Sequence, residues 1–355
     1  MESPNWNLYR YRLLFKHPLS MLGRMIRDRR GLILQIKDDD GVSGEGEIAP
    51  LEGVHLESLD QAEEQVRCFL DGRKTDFKLY PSVRFGVEMA WNLFNSNRQG
   101  NDSRYLNSLS SLPVNALITG DETDMCGVVQ RIREGGFQAV KIKAGEQSVE
   151  KDIERVHRLR SYLSTSTALR IDANRRWSLE QAEKFAEGVR GAEIDYCEEP
   201  LANMDQLKNF YQISGMPLAL DESLWESGGQ EVIPWSSIKT LVLKPGRLGG
   251  WNSCQRWVSM AKQHQVGVTF SSCLESGLGL SWIALMNLEM VSPPSPAGLD
   301  TFEAFSQDLA EPPFGLEKGF FHIPEQWPRF EMKSSKLIAS GRIQRFLGET
   351  ELHIP

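Results

Sequence analysis

The sequence predicts an α/β protein in which a (β/α) barrel follows a smaller α+β unit. From residue 112 onward, β-branched stretches alternate with helical stretches, and seven such units follow one another within roughly 180 residues. Residues 1–110 show a different pattern, with three strands before two helices, and the polar stretch 96–111 separates the two parts. No GxGxxG motif follows the first strand of the repeat, which favours a barrel over a dinucleotide-binding sheet.

Composition narrows the classes of partner. The chain has 355 residues and a net charge of −8, which gives no electrostatic basis for binding nucleic acid or an anionic membrane. No apolar stretch approaches the ~18 residues of a membrane span, and the N-terminus lacks the pattern of a secretory signal. The five cysteines are scattered without CxxC spacing. We therefore expect a cytoplasmic protein with reduced thiols and a small-molecule substrate.

The elements of the first part follow from local pattern. Apolar alternation at 7–15, 31–37 and 41–48 predicts an antiparallel meander, and two helices are expected at 58–70 and 82–94. In the second part, the expected strands lie within these stretches: 113–120, 138–145, 167–174, 194–200, 217–223, 240–245 and 267–272.

Each later barrel strand ends in side chains that do not belong in an apolar core. These are Lys141 with Lys143, then Asp172, Glu198, Asp221, Lys244 and Ser271 with Ser272, each about one strand–helix unit from the next. Alternation along a strand places Lys141 and Lys143 on the same face, opposite Ile142. We expect all of these groups to converge at the C-terminal mouth of the barrel.

The chemistry of this set favours a hard cation. Three carboxylates without His or Cys form an all-oxygen site, for which Mg²⁺ is the default ion and Mn²⁺ a substitute. Lysines before and after the trio suit removal of a proton α to a carboxylate, and Lys141 would make Lys143 easier to deprotonate. Single charges of this kind are often structural ion pairs, and a lone lysine can form a Schiff base, but neither alternative explains the ordered set.

Five of these motifs resemble the enolase superfamily, muconate-lactonizing-enzyme subgroup: KIK (141–143), RIDANRRW (170–177), EEP (198–200), DES (221–223) and LKPGRLGG (243–250). Five further motifs narrow the resemblance to the o-succinylbenzoate synthase family: RDRR (27–30), GEGEIAPLEG (44–53), PSVRFGVEMAW (81–91), SSCLESGLGL (271–280) and GLDTFEAF (298–305).

The resemblance implies an enolase-like fold, with a (β/α)7β modified TIM barrel at 111–310 and an α+β capping domain at 1–110. Residues 311–355 would pack back onto that domain. It also implies Mg²⁺-dependent syn dehydration of 2-succinyl-6-hydroxy-2,4-cyclohexadiene-1-carboxylate to 2-succinylbenzoate, in menaquinone or phylloquinone biosynthesis. A metal-stabilised ene-diolate would form on the way.

Roles are implied for individual residues. Asp172, Glu198 and Asp221 would hold the metal, Lys143 would remove and return the proton, and Lys141 and Lys244 would assist as charges. The expected substrate contacts are Arg29, Pro50, Leu51, Arg170, Asn174, Ser271, Ser272, Glu275, Ser276 and Gly277. Within this set, the segment Ser271–Gly277 would receive the succinyl arm through N–H and hydroxyl donors. The loop around Arg24–Arg30 and the segment 49–51 would close over the site.

Three alternatives stay open at this point. An N-acylamino acid racemase acting on N-succinylamino acids, or a dipeptide epimerase, would also use two lysines. Phe302 stands at the third position of the DxD pattern typical of dipeptide epimerases, which argues against a dipeptide. A non-catalytic metal-binding barrel is a remote alternative, because no expected ligand or base is missing. The oligomeric state, monomer or homo-oligomer, is not determined by the sequence.

Overall fold

The computed structural model describes residues 4–21, 24–72, 78–99, 111–119, 125–226, 233–309, 315–323 and 343–346. The N-terminal part contains strands β1 (Asn5–Met21), β2 (Arg24–Lys37) and β3 (Ser43–Ile48), followed by helices Leu59–Leu70 and Pro81–Arg98. The strands pair antiparallel, as the meander prediction requires. The segment Arg24–Arg30, expected as a loop, is instead the first half of β2, because it pairs with the end of β1.

The N-terminal sheet packs tightly on the second helix. Leu32, Leu34 and Ile36 form one buried face of β2 and contact apolar residues of both helices. Gly46 explains the glycine alternation of β3, since a Cβ there would lie 1.9 Å from the carbonyl oxygen of Gly86. The absence of side chains thus allows the strand and the helix to approach each other.

The second part is a parallel barrel sheet. Its described strands are β5 (Asn115–Ile118), β6 (Ala139–Lys143), β7 (Ala168–Asp172), β8 (Ile194–Glu198), β9 (Leu218–Leu220), β10 (Ile238–Leu243) and β11 (Gly267–Phe270). They pair in chain order, from β5 at one edge to β11 at the other. The main crossover helices are Met125–Glu134, Val149–Tyr162, Leu179–Gly188, Leu207–Ser214, Gly250–Gln263 and Gly277–Met290.

A short extended segment closes the barrel. Ala297 bridges in parallel to Val114 beside β5, and Gly298 bridges in parallel to Ser271 beside β11. The Asn115 N–H donates to Ala297 O at 2.9 Å, and the Gly298 N–H donates to Phe270 O at 2.8 Å. This segment takes the eighth position, so the fold is the expected (β/α)7β arrangement.

Two kinds of packing hold the barrel. Outward-facing residues such as Ile171 and Leu243 are fully buried against the helices. Inside, Tyr196, Ala219 and Val242 form a separate apolar cluster below the mouth.

The C-terminal stretch contacts both parts. Strand β13 (Phe320–His322) lies between β12 (Leu316–Glu317) and β4 (Ser111–Pro113), which precedes the barrel. Strand β14 (Ile343–Phe346) adds to β1 of the N-terminal sheet. The stretch 228–237, whose sequence also suggests a helix between two strands, falls partly outside the described residues, and its described part holds only a 3-10 turn, Trp235–Ser237. In the regions that the structure describes, no helix is long and apolar enough to span a bilayer.

Candidate active site

Three carboxylates meet at the C-terminal ends of adjacent strands. Asp172 ends β7 and Glu198 ends β8, where the two are direct register partners. Asp221 follows the last residue of β9. All three side chains are buried, with at most 2% of each residue exposed. The sequence pattern placed these groups together correctly because parallel strands end at one face of a barrel.

The three lysines surround the carboxylates. Lys141 donates to Glu198 at 3.0 and 3.2 Å and lies 3.5 Å from Asp172. On the same strand, Lys143 Nζ lies 3.6 Å from Asp172 Oδ2. Lys244 donates to Asp221 from the opposite flank of the trio. The charge of Lys141 is therefore directed mainly at the acids and not only at Lys143.

Burial and charge shift the titration of these groups. Burial raises the pKa of Glu198, and the neighbouring carboxylates add to this effect. Burial also opposes ionisation of Asp172, but Lys143 and Lys141 outweigh it and lower the pKa. Although burial works against the charged form of Lys244, the carboxylate of Asp221 raises its pKa. The site therefore balances concentrated negative charge with lysines.

The donor set fits a divalent cation by its chemistry. Asp221 Oδ1 is buried and has no hydrogen-bond partner among the described residues, and unpaired buried carboxylate oxygens are costly without a cation. In the described part of the chain, no group of three or more His, Cys, Asp or Glu side chains is already arranged to hold a metal. The oxygens of Glu198 and Asp221 contact lysines instead, so metal binding would require small side-chain rearrangements.

Glu199, next to Glu198, is occupied elsewhere. It accepts hydrogen bonds from the Asp221 N–H at 2.9 Å and the Ser223 N–H at 2.7 Å, and from Arg175 Nε at 2.9 Å. These contacts anchor the loop after β9 to β8 and leave Glu198 as the acid that faces the other carboxylates. Alternation along β8 places Glu198 on the same face as Tyr196, and Glu199 lies beside the turn at Pro200. The hydrogen bonds of Glu199 give an independent reason to expect Glu198 as the ligand.

Asn174 contacts the lysine expected to act as the base. Its Oδ1 accepts a hydrogen bond from Lys143 Nζ at 2.8 Å, and its Nδ2 donates to Glu222 Oε1 at 3.0 Å. The backbone of Asn174 has φ of 43°, in the left-handed region that Asn tolerates better than most residues. The turn after β7 therefore fixes the direction of the Lys143 side chain.

Arg170 was expected to contact the substrate, but the structure directs its side chain elsewhere. Its guanidinium bonds to Asp195 at 3.0 Å, to Asn115 Oδ1 at 3.2 Å and to Pro296 O at 2.6 Å. Asp195 and Asn115 lie at the starts of β8 and β5, at the end of the barrel opposite the carboxylates. We therefore assign Arg170 to the barrel interior and not to substrate binding.

Ser276 and Gly277 were also expected to contact the substrate, and the structure gives both of them partners within the protein. The Ser276 hydroxyl and N–H both donate to Glu47 of β3, at 2.7 and 3.0 Å, and the Gly277 N–H donates to Asp308 at 2.9 Å. These donors therefore bind carboxylates of the protein and not a substrate arm. Sequence reasoning did not identify Glu47 as a buried acceptor. A signal was available, because Glu45 and Glu47 lie two apart in GEGEI and therefore place two acids on one face of the strand.

Arg29, Pro50 and Leu51 join the two parts of the chain. Buried Arg29 donates to Leu274 O at 3.0 Å, to Pro50 O at 2.9 Å and to Ala49 O. The Leu51 N–H donates to His55 Nδ1 at 3.0 Å. The guanidinium thus joins residues 49–50 to the loop after β11. Its donors bind backbone carbonyls of the protein, and Arg29 is therefore not positioned to contact a substrate directly.

The remaining expected contacts follow β11. Ser271 Oγ donates to Gly298 O at 3.3 Å, and Ser272 Oγ pairs with Thr301 Oγ1 at 2.7 Å. Glu275 accepts from the Cys273 N–H at 2.6 Å. Burial raises the pKa of Glu275 to about 7, with Glu47 contributing in the same direction. The site roles of these three residues stay predictions.

Similarity to known proteins supports this architecture. Residues 125–327 match the family model described as enolase C-terminal domain-like, and residues 4–93 match the MenC N-terminal domain. An o-succinylbenzoate synthase from Yersinia pseudotuberculosis is 31% identical over 86% of this chain and 92% of the relative. An o-succinylbenzoate synthase from Yersinia pestis has the same identity and coverage.

Solved structures share the fold. The N-succinyl Arg/Lys racemase from Bacillus cereus has a TM-score of 0.83 at 17% identity, covering 98% of this chain and all of that chain. MenC from Desulfotalea psychrophila has a TM-score of 0.72 at 22% identity, covering 90% and 99%. A dipeptide epimerase from Enterococcus faecalis, solved as a complex with Mg and a dipeptide, has a TM-score of 0.80 at 17% identity, covering 91% and 98%.

A parallel barrel with acids on three adjacent strands between flanking lysines, under an N-terminal α+β domain, defines an enzyme of the enolase superfamily. Within that superfamily, the identity to curated relatives and the MenC N-terminal match are decisive. The chain belongs to the o-succinylbenzoate synthase family, a family of lyases.

Proposed function

We propose that the enzyme catalyses syn dehydration of 2-succinyl-6-hydroxy-2,4-cyclohexadiene-1-carboxylate to 2-succinylbenzoate, a step of menaquinone or phylloquinone biosynthesis. One observation carries the proposal. In the sheet, β6 with Lys143 and β10, which precedes Lys244, flank the three strands that present Asp172, Glu198 and Asp221. A substrate carboxylate held at the acids through a cation would therefore lie between two amines.

The cofactor proposed is Mg²⁺, held by Asp172, Glu198 and Asp221. When bound, the ion would offset the charge that develops on the substrate carboxylate as the α-proton leaves. The all-oxygen donor set and the unpaired Asp221 Oδ1 support this choice. Mn²⁺ prefers similar ligands and is the expected substitute.

The chain's own groups then carry out the proton transfers. Neutral Lys143 takes the proton from C1 of the ring, and its side chain is held in position by Asn174. The electrons of the broken C–H bond form a ring double bond as the C6–O bond breaks. Lys143 returns the proton to the departing hydroxyl, so water leaves and the ring becomes aromatic. Lys244 faces the developing charge from the other flank as a cation.

A second reaction is supported by the same geometry. Two lysines on opposite flanks could exchange the α-proton of an N-succinylamino acid, with one removing it and the other delivering a proton to the opposite face. The likeness to the N-succinyl Arg/Lys racemase supports keeping this candidate, although at 17% identity it shows only a shared fold.

A spectroscopic assay separates the two reactions. We expect the wild type with Mg²⁺ to convert the cyclohexadiene substrate to the aromatic product, followed by ultraviolet absorbance. Lys143→Ala and Lys244→Ala should lose at least roughly a thousandfold in turnover while keeping the wild-type circular dichroism spectrum. Lys262→Ala, an exposed lysine of the helix Gly250–Gln263, is the matched control. Turnover at the wild-type rate by Lys143→Ala would refute the mechanism, and efficient racemization without dehydration would select the racemase.

A further inference from the structure

Glu199 directly follows the proposed metal ligand Glu198, and its side chain is fully buried. Its Oε1 accepts from the N–H of Asp221 at 2.9 Å and from the N–H of Ser223 at 2.7 Å. Its Oε2 accepts from the Ser223 hydroxyl and from Arg175 Nε, both at 2.9 Å. Because donors of the protein engage both oxygens, Glu199 holds its neighbours in place and is not itself available to bind an ion.

Arg175 extends these contacts to the turn after β7, the strand that ends in Asp172. Its N–H donates to Glu199 O at 2.7 Å, and its Nη2 donates to Ser223 Oγ at 2.8 Å. The outer side of its guanidinium binds the exposed carboxylate of Glu226. Arg175 therefore connects the turn after β7 to the turns after β8 and β9.

The backbone is strained at the two residues that form this ion pair. The angle φ is 62° at Arg175 and 42° at Glu199, in the left-handed region that residues other than glycine rarely adopt. Such residues persist where the surrounding structure holds them, and they are concentrated at functional sites. Here the hydrogen bonds of Glu199 and Arg175 hold turns that lie within three residues of Asp172 and Glu198.

The spacing of the three acids affects different cations differently. Asp172, Glu198 and Asp221 come from three separate strands, so their separation depends on what joins the strand ends. Mg²⁺ requires near-octahedral ligands at about 2.0–2.1 Å, whereas Ca²⁺ accepts ligands at about 2.3–2.6 Å in a flexible geometry. A loosened arrangement of the acids therefore weakens the binding of Mg²⁺ more than that of Ca²⁺.

Building on the proposed Mg²⁺-dependent function, we propose that Glu199 and Arg175 are positioning residues that set the spacing of the three acids and so select Mg²⁺ over larger divalent cations. Glu199 acts through the backbone of Asp221, whose N–H it binds, and through the neighbouring Ser223. Arg175 acts through Glu199 and ties in the strand end that carries Asp172. Neither residue contacts the ion or the substrate in this role.

Calorimetric titration of the full chain with Mg²⁺ and, separately, with Ca²⁺ tests the proposal without requiring turnover. In Glu199→Gln, the side-chain amide places donors where a carboxylate oxygen accepts hydrogen bonds in the wild type. We expect the Mg²⁺ dissociation constant to rise at least about tenfold, the typical effect of losing a group that orients a metal ligand. The Ca²⁺ dissociation constant should rise less than about threefold, because Ca²⁺ tolerates irregular ligand distances.

Arg175→Met separates the effect of position from that of charge. Removing a cation near the site would, by charge alone, strengthen the binding of both dications. We expect the opposite for Mg²⁺, whose dissociation constant should rise about threefold while that of Ca²⁺ changes less than about twofold. Glu226→Gln, which removes the exposed partner of Arg175 and leaves its bonds to Glu199 in place, is the matched control and should keep the wild-type ratio of the two constants.

The ratio of the Ca²⁺ to the Mg²⁺ dissociation constant decides the assignment in variants that keep the wild-type circular dichroism spectrum. An unchanged ratio in both Glu199→Gln and Arg175→Met would overturn it, and so would tighter Mg²⁺ binding by Arg175→Met. Ser223→Ala, the mildest change, should lower the ratio in the same direction and replaces any variant that does not fold.

Failure of the proposed cofactor is distinguishable from failure of this inference. A wild type that binds no Mg²⁺ would refute the proposed cofactor and the function that depends on it. Hydrogen exchange measured without metal then decides the role of Glu199. Faster exchange of the Asp221 and Ser223 amides in Glu199→Gln supports the positioning of Asp221, and unchanged exchange overturns it.

Discussion

Glu47 accepts two hydrogen bonds from Ser276, one from its N–H at 3.0 Å and one from its hydroxyl at 2.7 Å, although 229 residues separate them. The same carboxylate accepts from the Gly279 N–H at 2.9 Å and from the Tyr11 hydroxyl at 2.5 Å. Glu47 thus caps the barrel helix Gly277–Met290 from the N-terminal sheet. Free N–H groups and the helix dipole favour an anion at this position.

Removing this carboxylate should destabilise the whole chain. We expect Glu47→Ala to lower the free energy of unfolding by about 3 kcal/mol, because it leaves several buried donors without an acceptor. Urea denaturation followed by circular dichroism measures the effect, with the exposed Glu64→Ala as control. Equal stability of the two variants would show that the cap contributes nothing.

Arg29 is expected to hold the N-terminal part to the barrel in a related way. Its guanidinium serves the carbonyls of Ala49, Pro50 and Leu274. Arg29→Met should cost roughly 2–4 kcal/mol of unfolding free energy, since three buried carbonyls lose their donor. Hydrogen exchange should also speed up at 49–51 and 272–275, whereas exchange in β7 and β8 should not change. Unchanged exchange in both loops would contradict the role.

The sequence predicted the features that depend on the alternation of strands and helices and on which residues end each strand. Asp172, Glu198, Asp221 and Lys244 were found because a barrel brings equivalent strand positions to one mouth. The sequence could not predict which residues, distant along the chain, become hydrogen-bond partners in the tertiary fold. Ser276 was expected to face substrate because it follows the seventh barrel strand, and no local pattern reveals that Glu47 accepts from its N–H and hydroxyl. Arg170 was misplaced for a similar reason: strand parity gives the face of a residue, but not the direction in which a long side chain extends.

Glu275 should make stability depend on pH. Burial raises its pKa from 4.5 to about 7, Glu47 adds to the shift and Arg29 opposes it. The folded chain therefore holds this proton at pH values where the unfolded chain has released it. Stability that is present below pH 4.5 is lost as the pH rises through about 7.

Glu275→Gln tests this dependence. The variant cannot ionise, so its stability relative to wild type should increase between pH 4.5 and 7 by on the order of 3 kcal/mol. Urea midpoints measured at half-unit intervals give the difference curve, and Glu64→Gln is the exposed control. A difference that does not vary with pH would refute the raised pKa.

Asn174 is predicted to orient Lys143. Asn174→Ala should reduce kcat about tenfold with little change in KM, because the base loses the acceptor that fixes its direction. Alanine is also strained at φ of 43°, so Asn174→Gly, which relaxes the backbone, isolates the amide effect. A similar loss in both variants assigns the effect to the amide, whereas full activity of the glycine variant would assign it to the backbone. Asn203→Ala, an exposed cap, serves as control.

Metal binding should compete with Lys244 for Asp221. Because Lys244 donates to Asp221 Oδ2, a cation that uses this oxygen must displace the ammonium. Mg²⁺ should raise the thermal midpoint of the wild type, with a stabilisation of about 2.7 kcal/mol at a hundredfold excess over the dissociation constant. Asp221→Asn should lose this shift, whereas the exposed Asp205→Asn should keep it. Lys244→Met should bind Mg²⁺ more tightly than wild type, since the competing ammonium is gone, and yet be inactive. Weaker Mg²⁺ binding by Lys244→Met would show that the lysine supports the cation instead of competing with it.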